Sequence, residues 1–362
     1  MAEPLSFVFL GLSISSSWGN GHATTYRGLV RELAKAGHSV TFLERDLEWY
    51  RDNRDAPSPE GATLHLYETL DDLRARHLSE VREADVVIVG SYVPDGVMVA
   101  EWVLEHAEGL RVFYDIDTPV TLRKLARGDF EYLTPGLVPR FDLYLSFTGG
   151  PTLDHIEEVL GSPAARHLPC GVDPERYFPV SVERRYDLGY LGTDSVDRRA
   201  PLERLLLEPA RQLPERRFLV GGPSHPDDDW PPNVARIFHV SPPEHPRFYC
   251  AQRLTLNITR GDMLRAGYSP SVRLFEAAAC CVPIVTDVWE GIDHYFAPGS
   301  EILVARSSRD VIEMLTDRSD AELAEIGARA RRRVLASHTA AARVEELLGY
   351  IRERQALHRA AE

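Results

Sequence analysis

The sequence predicts an α/β protein built from two doubly wound, Rossmann-like domains. Short apolar runs alternate with segments of helical periodicity along nearly the whole chain, the pattern of parallel sheets covered on both faces. The alternation breaks in HLPCGVDPERYFPV, His167 to Val180, a stretch with three prolines, and then restarts. A chain of 362 residues also exceeds what one core ordinarily fills. Residues 1–170 are therefore expected to form the first domain and 171–344 the second, with the crossing between Cys170 and Pro179.

In the first domain SFVFLGLS, from Ser6, reads as a strand buried on both faces, and ISSSWGNGH as the polar turn after it. Tyr26, Leu29, Val30, Leu33 and Ala34 then follow helical periodicity, and Gly37 stops the helix before the strand HSVTFLE. This βαβ opening puts Gly19, Asn20, Gly21 and His22 at the helix start, beside the carboxyl ends of the strands, where open parallel sheets bind ligands. GNGH alone is a weak motif. Further strands are expected at ADVVIVGSY, RVFYDID and FDLYLSF, with DGVMVAEWVLEHAEG as a helix between the first two. YDIDTP places Asp115 and Asp117 just past a strand on the same sheet edge as His22; the plain alternative is a solvated loop or helix cap.

In the second domain YDLGYLG, RRFLVGG, ARIFHV and RLTLNIT read as strands, and DRRAPLERLLLEPARQL as an amphipathic helix. GTDSVDRR brings Thr193, Arg198 and Arg199 to the start of that helix, where arginines suit bidentate binding of a diphosphate, although a solvated charged turn fits equally. NITRGDM carries Arg260 out of a strand, and Asn257 within it reads as a strand residue rather than a glycan acceptor. The DDD run at 227–229 lies between prolines with no histidine or carboxylate partner at helical spacing, so no metal site is expected. In GYSPSVRLFEAAACCVPIVTDVWEG, from Gly267, Ser269 and Pro270 read as N-cap and first helical residue. Val272, Phe275 and Ala279 then share one face and Ser269, Arg273, Glu276 and Cys280 another, before the buried strand VPIVTD. Two amphipathic helices, AELAEIGARARRRVLASH and TAAARVEELLGYIRERQALHRA, close the chain.

Composition excludes several classes. With 55 acidic against 41 basic residues and a net charge of -14, general nucleic-acid binding and adhesion to anionic lipid are disfavoured. Cys170, Cys250, Cys280 and Cys281 show no CxxC spacing and read as reduced buried thiols, which fits a cytoplasmic protein. The first apolar run lacks a basic flank or small-residue cleavage site, and no stretch approaches the length of a membrane span.

RLFEAAAC-x-VPIVTD-x-W-x-G resembles the donor-site segment of GT-B glycosyltransferases, in particular the CgeB-like (spore-maturation) group, which shares a DIDTP segment. The first βαβ unit, with GNGH, and the GVD turn of the crossing are similar to the same family. The resemblance implies a GT-B fold with a central cleft, whose last helix, about 345–362, returns to the first domain. It implies a metal-independent transferase without a cofactor, using a nucleotide diphosphate sugar, UDP or dTDP, as co-substrate for an unidentified small-molecule or natural-product acceptor. Glu276 would accept the ribose hydroxyls, and the backbone from Ser269 through Ser271 to Val272, with one or more of Arg198, Arg199, Arg260 and Arg273, would meet the diphosphate. HVSPPEHPRFY would pass near the base. His22 would act as general base, oriented by Asp115 or Asp117, since imidazole titrates near about 6.5. Two positions depart from the pattern: Tyr268 stands where many retaining members carry a second glutamate, which leans towards inversion, and Cys281 stands where glycine is usual. An epimerase of the same fold and a non-catalytic nucleotide-sugar binder are the alternatives.

Overall fold

The computed structural model describes residues 3–226 and 230–361. The DDD run therefore lies outside the described residues. The chain divides into two compact units: residues up to Cys170 together with those from Ala340 onward, and Gly171–Thr339.

The first unit holds a seven-stranded sheet of β1 (Ser6–Gly11), β2 (Ser39–Arg45), β3 (Thr63–Tyr67), β4 (Val86–Gly90), β5 (Leu110–Asp115), β6 (Leu143–Ser146) and β7 (Ala165–His167). Its order is β3-β2-β1-β4-β5-β6-β7, and every pairing is parallel. Burial of both faces explains why β4 reads VVIVG with no polar alternation. The last helix, Ala340–Ala361, packs Val344, Leu347 and Ile351 against Phe7, Tyr26 and Leu29. It begins within the segment TAAARVEELLGYIRERQALHRA read as the closing helix, where Ala340, Ala341 and Ala342 are strong helix formers directly after an extended residue, Thr339.

The second unit repeats the plan with six strands: β8 (Tyr186–Leu191), β9 (Phe218–Gly221), β10 (Val234–Ile237), β11 (Gln252–Asn257), β12 (Ile284–Thr286) and β13 (Leu303–Val304). Their order is β10-β9-β8-β11-β12-β13, again parallel throughout. Strand order reverses between β1 and β4 in one sheet and between β8 and β11 in the other, and such switch points are where open sheets receive ligands. The long helix expected after β8 forms as three contiguous segments, Val196–Leu202, a wide turn Glu203–Leu207, and Glu208–Gln212. Pro209 explains the interruption, since it has no N–H for the turn before it.

The helix at the centre of the sequence motif runs Val272–Ala279, with Ser271 as N-cap. It begins later than the Ser269–Pro270 start expected from sequence. Gly267 at φ 65 and Tyr268 at φ 47 turn the chain just before it, and proline holds the preceding Ser269 away from helical backbone. At its other end Cys281 adopts φ 61, donating its N–H to Ala278, while Val282 donates to Ala277. This pair of bonds is a Schellman closure, which normally selects glycine at the left-handed position. A side chain is tolerated there because the crowding falls on the facing helix instead: Gly327 lies so near the Cys281 carbonyl that a Cβ would sit 2.6 Å from it. Replacing Cys281 by glycine relieves the left-handed strain, so C281G should raise the urea midpoint by up to about 1 kcal/mol of stability, partly offset by the freer unfolded chain. A lower midpoint would show that the half-buried thiol contributes more than the strain costs.

Candidate active site

At the first switch point the loop after β1 is built around a buried carboxylate. Glu44, fully buried at the end of β2, accepts from Ser13 Oγ (2.9 Å), Ser15 Oγ (2.5 Å) and the N–H groups of Ile14 (2.7 Å) and Ser15 (3.0 Å). Asn20 closes the loop: its amide donates to the carbonyls of Ser13 and Ser16, and its oxygen accepts from the His22 N–H. His22, the first residue of the helix His22–Lys35, is thereby fixed with Nε2 3.1 Å from Asp117 Oδ2. Its Nδ1 is buried and has no hydrogen-bond partner among the described residues. The ring meets Tyr92 edge-on at 5.6 Å.

Asp117 and Asp115 have different surroundings. The Asp117 side chain is 33 % exposed, whereas Asp115 is fully buried and accepts from Tyr144 (2.6 Å), Thr121 (2.7 Å) and the Asp117 N–H (3.3 Å). The Asp115 carboxyl is pushed up to about 6, by burial above all, with the neighbouring Asp117 charge adding to it against the hydrogen bonds. The structure thus pairs His22 with Asp117 and puts Asp115 behind them, supporting the loop rather than reaching the imidazole, because strand β5 points its last side chain into the core.

At the second switch point three guanidinium groups converge. Arg198, buried, donates to Ser195 Oγ (2.8 Å) and to the Thr193 carbonyl (2.9 Å). Burial first, then the charges of Arg273 and Arg260, pull its pKa below the usual arginine value. Arg273 donates to Ser271 Oγ at 3.1 Å. Among the described residues none of the three makes an ion pair with a carboxylate. Arg199 does not join them: it grips Asp194 bidentately (2.9 and 2.6 Å) with its side chain 54 % exposed, one helical position away from the buried face. Asp287, at the end of β12, is raised by burial and accepts from the Thr259 N–H and hydroxyl, fixing the turn that leads to Arg260.

Glu276 follows one helical turn after Arg273 and is 4 % exposed. Burial pushes its carboxyl up, but the nearby His245 and Tyr177 side chains and the Arg273 charge outweigh it and hold it below the usual carboxylate range. A surface pair with Arg273 is therefore not what fixes this residue.

The remaining expected residues are spread over these features. Thr193 serves through its carbonyl and Ser271 as cap and acceptor, and Val272 begins the helix. Ser269 is buried in the turn before it. Tyr268 is occupied in the turn, with its N–H on the Glu290 carbonyl and its carbonyl accepting from Tyr295 (2.9 Å). Gly19 uses its freedom at φ 60, but Gly21 has ordinary helical φ -68, and Asn20 spends its side chain on the loop, so neither of these two offers a ligand group through a special conformation or a free amide. Sequence reading missed Tyr92, held at φ 62 just after β4, and the trio His245, Tyr249 and Tyr177. GSY closing a predicted strand, and HPRFY with its polar rings four apart, were the available signals.

Two parallel, doubly wound sheets, each with its helices, match the GT-B fold of glycosyltransferase structures. Over 98 % of this chain and 100 % of that one, the protein matches sucrose-phosphate synthase of Thermosynechococcus elongatus (TM-score 0.68, 15 % identity). Anabaena HepE in complex with UDP and glucose matches over 96 % and 100 % (0.72, 11 %), and a Rickettsia africae glycosyltransferase over 98 % and 99 % (0.69, 9 %). Residues 198–349 match the family described as glycosyl transferase-like. No curated protein matches the chain in sequence. No helix among the described residues is long and apolar enough to cross a membrane.

The Asp115 shift carries a sign. Between its usual 3.8 and about 6 the folded state binds more protons than the unfolded one, so this group's contribution to stability falls as pH rises through that window. Comparison with Asp115→Asn should show wild type losing up to about 3 kcal/mol relative to the variant between pH 4 and 7. Parallel pH profiles for the two proteins would mean that the buried carboxyl does not titrate there.

Proposed function

We propose that the protein transfers a sugar from a nucleotide diphosphate sugar, with UDP as the nucleotide, to a small-molecule or natural-product acceptor. The observation that carries this reading is the gathering of Arg198, Arg260 and Arg273, none of which makes an ion pair among the described residues, beside the buried Glu276. Like charges gathered with no direct ion pair are costly, and a diphosphate supplies both the charge and the paired oxygens that guanidinium groups match. Glu276 then accepts the ribose hydroxyls and the start of the Val272–Ala279 helix faces the phosphates. The sequence match over the second unit and the UDP bound to HepE support the same assignment, as does the CgeB-like resemblance.

The leaving diphosphate develops negative charge as the glycosidic bond breaks, and fixed guanidinium groups stabilise it without reorganising. That charge supply is why we propose transfer without a metal. On the first unit His22 and Asp117 form the base: the acceptor hydroxyl loses its proton to this pair as its oxygen bonds the anomeric carbon. Asp117 is the more exposed member, so the acceptor is received at its carboxylate and the imidazole behind it shares the proton. Tyr268, in place of a second carboxylate, favours inversion in a single displacement. The cysteines, which form no disulfide among the described residues, fit a cytoplasmic setting.

Glu276→Ala should weaken UDP binding by on the order of 1–3 kcal/mol in calorimetry while the fold persists; unchanged affinity would remove its role. His22→Ala should leave UDP affinity intact and lower transfer by roughly two to four powers of ten. Transfer within a few-fold of wild type would place the base elsewhere, and NMR of the product's anomeric centre reads the stereochemistry directly.

A further inference from the structure

Glu276 lies in a polar nest that phosphate binding does not require. Tyr249 donates its hydroxyl to Oε2 at 3.0 Å, and His245 Nδ1 stands 3.6 Å from the same oxygen. The Tyr177 hydroxyl stands 3.4 Å from that nitrogen, on the same side of the carboxylate. His245 and Tyr249 lie four residues apart on the helix His245–Cys250, so both rings address Glu276 from one face. Tyr249, Tyr177 and Glu276 are all buried.

The terminal torsion of a glutamate is broad, and a lone carboxylate can turn to suit whatever donor arrives. Here donors gathered on Oε2 remove that freedom and fix the direction of both oxygens. A carboxylate offers about four acceptor positions, so capacity remains for a ligand, but only in one orientation. Two neighbouring hydroxyls match such a pinned group. A ligand with one of them missing leaves a buried, charged acceptor that can neither rotate nor draw in solvent easily.

We propose that Tyr249 and His245 are positioning residues that pin the Glu276 carboxylate for the vicinal hydroxyls of a ribose, so that this unit selects ribonucleoside over 2′-deoxyribonucleoside diphosphates. The inference rests on the donor reading above and extends it, since it decides between UDP and dTDP on the sugar rather than the base.

The test is calorimetric binding of UDP, 2′-deoxy-UDP and inorganic pyrophosphate to the full chain. Wild type should prefer UDP over 2′-deoxy-UDP by roughly tenfold to a hundredfold, the worth of a hydrogen bond to a charged group. Tyr249→Phe should shrink that preference to within about threefold while leaving pyrophosphate affinity unchanged. His245→Ala should do the same, and His245→Gln, which keeps an N–H donor, should restore much of the preference; since His245 is only half-buried at a helix start, these variants stay folded if Tyr249→Phe does not. Equal binding of the two nucleotides by wild type, or a preference that survives in both Tyr249→Phe and His245→Ala, would overturn the proposal while leaving the donor reading in place. Failure of wild type to bind UDP and pyrophosphate at all would overturn both.

Discussion

A carboxylate taken out of water must be surrounded by donors, and this requirement shapes both candidate sites. Glu44 gathers the serine loop that delivers His22, Asp115 gathers Tyr144, Thr121 and the backbone of Asp117, and Asp287 gathers Thr259. Each stands at or beside the carboxyl end of a parallel strand, where the ladder stops and backbone groups need new partners. A side chain with several acceptor positions meets that need better than water, and each loop is left with one conformation. Glu276 belongs to the same set but sits on a helix, and its neighbours are tyrosine and histidine rings rather than a loop backbone.

The second consequence is local backbone strain. Tyr92 and Tyr268, at φ 62 and φ 47, hold conformations that side chains ordinarily avoid, and each lies in a turn against a residue of its site: Tyr92 against His22, Tyr268 just before the Val272–Ala279 helix. Tyr92 is retained by stacking on Tyr132 at 4.6 Å, and Tyr268 by its backbone bonds and by Gly291, whose missing side chain leaves room for the ring.

Much of this was legible in the sequence. Runs such as VVIVG and FDLYLSF announce buried parallel strands because nothing in them could face water, and the proline-rich crossing marks where the alternation restarts. The strands TLHLY and Leu303–Val304 were not legible, since one is a half-buried edge and the other too short to show a period. Site residues divide the same way. Arg273 and Glu276 follow from helical spacing, but that Arg199 would turn to Asp194 while Arg198 turned inward depends on a single step of helix rotation. Which of Asp115 and Asp117 faces His22 depends on where β5 ends. Tyr177 lies far in sequence from the helix that carries His245 and Tyr249, and the three reach Glu276 only through packing.

The unpaired arginines also set a condition on the empty protein. Three guanidinium groups that make no ion pair among the described residues exert mutual repulsion that a small dianion relieves. If these arginines receive a diphosphate as proposed, inorganic phosphate and sulfate compete for the same guanidinium groups, even though the surface as a whole, at net charge -14, repels them. An affinity measured in phosphate buffer is then an exchange constant, and in a cell the phosphate pool sets the threshold that any ligand must exceed.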